Sequence, residues 1–210
     1  MAQTMTPSCK PMTDRQIDKA VEHYRAMLRK HRDEIGSAAD IQRMLGQDDY
    51  VGEQVGVIRA RVAALTGMTL RRVKVNRTRT PQEMLDALGR RQYTDRAVVD
   101  AMSRGEGEEV DMYFFTPHKS AYDRNGRISD DNLAKQYELR GLVPDPYAQD
   151  AVNEADPAFA DEHPNGTHWK DADGNWCFAT FDQWDGGRCV CVRRDGDGWR
   201  DDWCFGGRRK

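Results

Sequence analysis

The chain has no long apolar run. Its first residues, MAQTMTPSCKPMT, carry no hydrophobic segment of the secretory type, and no stretch approaches membrane-spanning length. These absences predict a cytoplasmic protein that does not engage a membrane, with export by a signal of another kind left open. Net charge is also scarce: 32 basic residues stand against 35 acidic ones. A global electrostatic drive toward nucleic acid or anionic lipid is therefore missing. Cysteines number five, an odd count that argues against a fully paired disulfide framework. Catalytic signatures are absent too. None of His23, His31, His118, His163 and His168 sits in a nucleophile or metal motif. The Gly-rich Arg104-Gly-Glu-Gly107 matches neither a phosphate-binding loop nor a dinucleotide fingerprint. The expectation is a non-enzymatic protein without a cofactor or metal.

What is present suffices for one or two domains. The 210 residues are 38% hydrophobic and 32% charged. Residues 1–12 read as a flexible tail. Thr13-Asp-Arg-Gln16 fits a capping box. Ile17, Val21, Tyr24, Leu28, His31 and Ile35 follow at alternating spacings of four and three, and Gly36 ends the run. That seam predicts an amphipathic helix in a small bundle, in preference to a dimerising coiled coil. Further helices over 37–45 and 51–65 complete a helical domain at 13–66.

A second domain is expected over 68–207, and the fold class is α+β. Val73 and Val75 mark a strand, and Thr80-Pro81-Gln82-Glu83 is a helix start with proline at the first position. Thr94 or Asp95, then Ser129 and Asp145, open three more helices, and Glu109 to Thr116 is a strand. Residues 153–168 read as a long polar connection. From 168 to 207 the pattern predicts an antiparallel β-meander, with turns at Asp171–Asn175, Asp185–Gly187 and Asp195–Gly198.

The segment Arg188 to Gly207, RCVCVRRDGDGWRDDWCFGG, uses seven residue types and contains no Asn, Lys, Thr, Ser, Ile, Leu or Met. Side chains alternate between the two faces of a strand. Val190 and Val192 share one face, which leaves Cys189, Cys191 and Arg193 on the other, predicted to face outward. Cysteine is unusual there, because it is among the most buried types. The segment reads as an apolar skeleton of Val190, Val192, Trp199, Trp203 and Phe205 with miscellaneous residues in the gaps. Coding logic accounts for that vocabulary. Asn codons altered only at their adenines yield Asp, Gly, Arg and Cys codons, among others, and Tyr codons yield Cys. Trp and Phe codons, and most Val codons, can lack adenine and would be immune. Cys189, Cys191, Arg193, Asp195, Gly196, Asp197, Gly198, Arg200, Asp202 and Cys204 can all be products of such a process. A GC-rich genome, ordinary hairpin turns and core tryptophans explain each residue singly. The segment as a whole favours a diversified surface.

At these residues the chain resembles a family. WKDADGNWCFATFDQW and DGDGWRDDWCFGGRRK look like the ends of uncharacterised bacterial proteins associated with diversity-generating retroelements. RTPQEMLDALGRRQYTD, RGEGEEVDMYFF and YELRGLVPDPYAQDAVNEADPAFADEHPNGTHW extend the likeness over most of the chain. The resemblance implies a variable protein whose C-terminal region is rewritten at adenines and binds ligand on a C-type-lectin-like fold. The ten residues named above would then be the ligand-binding set, and the partner an unidentified protein or small ligand.

Three other motifs carry weaker signals. Cys189-x-Cys191 with Cys177, Cys204 or nearby histidines suggests zinc, but a C-x-C spacing on one strand is a weak signal. Asp171 and Asp173 resemble part of a calcium loop without its downstream glutamate, so a β-turn is the better reading. The basic run Arg71, Arg72, Lys74, Arg77 and Arg79 makes a nucleic-acid-associated accessory protein the alternative function, although it has no interleaved aromatic platform.

Overall fold

A computed structural model of the chain describes residues 12–194 and 198–210. Two compact units divide between Arg61 and Val62. The first holds α1 (Asp14–Lys30), α2 (Arg32–Ile35), α3 (Ala38–Leu45) and most of α4 (Tyr50–Leu65). Local chemistry sets these starts. The Thr13 hydroxyl accepts from the Gln16 amide while the Gln16 side chain accepts from Thr13, and Ser37 caps α3 through Asp40. The expected single helix to Gly36 breaks at His31, whose backbone leaves the helical region (φ −106, ψ 16).

The second unit follows in the order β1 (Met68–Lys74), α5 (Pro81–Ala87), β2 (Arg91–Thr94), α6 (Arg96–Asp100), β3 (Glu109–Phe115) and β4 (Arg127–Ile128). Then come α7 (Asp130–Leu139), β5 (Leu142–Val143), α8 (Pro146–Ala155), α9 (Phe159–Glu162) and β6 (Asn165–Lys170). β7 (Trp176–Trp184), β8 (Gly187–Arg194), β9 (Trp199–Arg200) and β10 (Cys204–Arg209) complete it. The result is mixed α+β. One eight-stranded mixed sheet runs β1-β3-β10-β6-β7-β8-β2, with β5 on β10, and β4 pairs with β9 separately. No helix among the described residues is long and apolar enough to cross a membrane.

Both faces of the sheet are covered. On one, Val110, Met112, Phe114, Ala179, Phe181, Val190 and Val192 share a core with Leu85 of α5, Val98 of α6 and Tyr147 of α8. On the other, Phe115, Phe178 and Phe205 lie in a core with Ile128, Leu133, Tyr137 and Trp199. Two-sided burial explains why Met112 to Phe115 are all apolar: a strand covered on both faces has no solvent side.

Two expectations are corrected. Residues 153–168 are not a polar connection, since they contain α9 and the start of β6. Their polar groups are buried because they satisfy one another. The Asn165 Oδ1 accepts from Gln149 at 2.8 Å and from Asn153 at 3.0 Å. The C-terminal strands are also not a simple meander. β6, β7 and β8 pair in succession, and the β7–β8 turn has positive φ at Asp185 and Gly186, as a two-residue type I′ hairpin requires. β10 then leaves β8 and inserts between β3 and β6, parallel to β6, while β2 takes the β8 edge. Glycine permits that insertion. A Cβ on Gly206 would lie 2.5 Å from the Gln149 Oε1, and one on Gly207 would lie 2.9 Å from the Tyr137 ring. The expected tail lies outside the described residues except for Met12.

Candidate binding face

Register and alternation place one set of side chains on the same side of the sheet. Cys191 stands between Thr180 of β7 and Tyr93 of β2, Arg193 opposite Phe178, and Cys189 between Asp182 and Arg91. Phe178 and the half-buried Cys191 and Trp203 belong to the core on this side. Toward the hairpin end the cover thins. Trp184 is 62% exposed and meets Tyr93 edge-on, with ring centroids 5.8 Å apart.

The predicted site residues separate by burial and by position: Cys204 packs against the core on the other side of the sheet, and Arg200 lies on β9, outside the main sheet. Arg193, Arg200 and Asp202 are exposed. The Arg193 guanidinium lies over the Phe178 ring, 5.9 Å from its centroid. Arg200 and Asp202 pair at 2.6 Å in open solvent, where such a bond is worth little and is easily exchanged for a ligand. Cys191, Gly198 and Cys204 are half-buried. Gly198 has φ +69, and a Cβ there would come within 3.0 Å of the Ile128 carbonyl, so the turn itself favours glycine. Asp195, Gly196 and Asp197 lie outside the described residues.

The cysteines do not face solvent as expected. Cys189 is 2% exposed, and its thiol donates to the Asp182 carboxylate. Burial first, and that hydrogen bond second, push the Cys189 thiol up to about 12. Burial likewise raises Cys191, and takes Cys204 up to about 12. Alternation put these residues opposite the valines correctly. It could not show that the opposite face carries its own cover.

The skeleton is anchored by a carboxylate that the sequence reading did not single out. Asp130, at the first position of α7, accepts from the Trp199 indole at 2.8 Å and is 3.1 Å from His168 Nδ1. His168 stacks between Trp176 at 4.4 Å and Tyr137 at 5.3 Å. Burial lowers the His168 pKa and the Asp130 hydrogen bond opposes this, so the ring is held neutral by its surroundings. Asp131 accepts from the Trp176 indole at 3.1 Å. The available signal was Ser129-Asp-Asp131, an N-cap followed by two carboxylates whose side chains serve more than the helix.

Neither metal reading gains support. Among the described residues, no three or more His, Cys, Asp or Glu side chains are placed to hold an ion. Asp171 instead accepts from the Asp173 and Asn175 amides and pairs with Arg194 at 2.8 Å. The basic run is largely neutralised. Arg72 meets Asp111 at 2.7 Å, Arg77 meets the buried Asp145 at 2.8 Å, and Arg79 meets Glu154 at 2.7 Å. The first pair ties β1 to β3, the other two tie the loop after β1 to α8 and its cap, and all three compete with any phosphate.

Comparison of the chain with family models, with curated proteins and with solved structures finds no match in any of the three.

Proposed function

We propose that this is a non-enzymatic ligand-binding protein whose C-terminal segment is the variable region of a diversity-generating retroelement. One observation carries the reading. Residues that adenine-directed change can supply include the exposed Arg193, Arg200 and Asp202, whereas the adenine-proof Val190, Val192 and Phe205 are each 0% exposed and Trp199 is 8% exposed. Such a division lets side chains change without disturbing the sheet beneath them. The sequence resemblance further motivates reading the fold as C-type-lectin-like.

Contact with ligand is assigned to Arg193, Arg200 and Asp202, with the half-buried Cys191 beneath and Tyr93 and Trp184 at the rim. Arginine and aromatic side chains are the usual anchors of interfaces, and charge of both signs supplies complementarity. Cys189 and Cys204 act from beneath, by setting the packing volume. A displayed library randomised at residues 193, 200 and 202 tests the proposal. Most members should fold and some should capture ligands from a panel of proteins and glycans. A library that is mostly unfolded, or folded but without binders, would count against it.

A further inference from the structure

The helices of residues 12–61 have no core of their own. Not one described residue in that range is buried. The seam on α1 is open, with Ile17, Val21, Tyr24 and Leu28 each between 40% and 49% exposed. On α4, Val55 is 40% exposed and Ile58 51%. The two helices are neighbours: the Tyr24 hydroxyl lies 3.4 Å from that of Tyr50 and donates to Gln54 at 3.3 Å. These side chains make an apolar surface on two long helices of this unit, and none of them is buried.

We propose that a second copy of this chain covers that surface, so that α1 and α4 of two protomers form a four-helix bundle. The spacing argues for helices as the cover, because alternating steps of four and three build a seam that takes knobs from another helix. The area is enough for a modest pair. At these exposures the six side chains named present on the order of 500 Å² per protomer, about 1,000 Å² for the pair, at the low end of specific interfaces.

Charge argues for a copy of the same chain, running antiparallel. All the acids of α1, Asp14, Asp18 and Glu22, lie in its first half together with Arg15 and Lys19. Its second half carries only cations, Arg25, Arg29 and Lys30. α4 repeats the polarity, with Glu53 preceding Arg59 and Arg61. Antiparallel two-fold pairing sets the acidic half of each helix against the basic half of its counterpart, whereas parallel pairing sets cations side by side.

The test is the solution mass of the full chain by light scattering or sedimentation. The proposal expects twice the 24.0 kDa of one chain. The double variant Val21→Asp, Leu28→Asp should sediment as a single chain. So should the α4 double variant Val55→Asp, Ile58→Asp, whose side chains are 40% and 51% exposed in one chain. All five tryptophans lie between residues 169 and 203, so tryptophan emission reports the second unit and should be unchanged in both variants. An unaltered chain of single-chain mass at every concentration would overturn the proposal. So would double mass retained in both variants, because the contact would then lie elsewhere.

Discussion

Replacing Trp199 with alanine should cost far more than replacing Arg200, although the two are adjacent. Trp199 is 8% exposed and meets Phe178 and Phe205 edge-on at centroid distances of 5.3 and 5.2 Å. Its indole also supplies one of the hydrogen bonds that Asp130 accepts. Truncation removes these contacts and leaves a cavity between sheet and cover, at a cost of about 3–5 kcal/mol. For a unit of this size that corresponds to a fall in Tm on the order of 10 °C. Arg200 has 64% of its side chain exposed, and its guanidinium pairs with the exposed Asp202. Arg200→Ala should stay within about 0.5 kcal/mol of the parent. Trp203→Ala, at a half-buried site 5.9 Å from Trp199, should fall between them. Urea unfolding followed by far-UV circular dichroism measures all three without depending on the removed fluorophore. Equal costs for Trp199→Ala and Arg200→Ala would refute the division into fixed skeleton and exchangeable surface.

Other outcomes follow from buried groups. Asp150 is 1% exposed, and neither carboxylate oxygen has a hydrogen-bond partner among the described residues. Burial first and Glu154 second raise its pKa well above 3.8, so the folded state holds a proton that the unfolded state releases. Stability should therefore fall as pH rises from about 4 through the raised pKa, and Asp150→Asn should flatten that decline in urea midpoints; an unchanged slope would exclude Asp150 as its source. Gly207→Ala should destabilise by about 1–3 kcal/mol, because the new methyl would crowd the Tyr137 ring and the Val143 carbonyl; a thermal melt matching the parent would show that β10 does not need the close approach. In a Cys9→Ser chain at about pH 8, native thiols should react with a thiol reagent at least about tenfold more slowly than in denaturant. Fast native modification of Cys189 would contradict its burial.

Helix starts were legible because capping is local chemistry. Thr13, Ser37, Thr80, Ser129, Asp95 and Asp145 each accept from a backbone amide two or three residues ahead, and the sequence alone carries that pattern. β4 and β5 were not legible. Each is two residues long and exists because a distant strand, β9 or β10, pairs with it. β2 is a similar case, ordered by its parallel partner β8. The alternation along Cys189 to Arg193 gave the two faces correctly. What it could not give was the cover of Trp199, Ile128 and Tyr137 over Phe178 and Cys191, or the Asp182 carboxylate that receives the Cys189 thiol. Asp130 was legible as a helix-start residue but not as the anchor of Trp199, because that bond spans 69 positions in the chain.

The same two-sided cover narrows the binding proposal. It removes Cys189 from the contact set, leaves Cys191 and Cys204 half-buried, and concentrates recognition on Arg193, Arg200 and Asp202. A chain that pairs through its N-terminal helices would carry two such faces. Avidity could then offset weak single contacts when both faces reach one partner.

The most direct measurement is deep sequencing of codons 188–207 across the source population, together with the flanking DNA. The account predicts a nearby reverse-transcriptase gene and an imperfect repeat of this segment whose mismatches fall at adenines. Variation should concentrate at Arg193, Arg200 and Asp202 and spare Val190, Val192, Trp199 and Phe205. A uniform segment without a repeat would contradict the account and return the vocabulary of residues 188–207 to base composition.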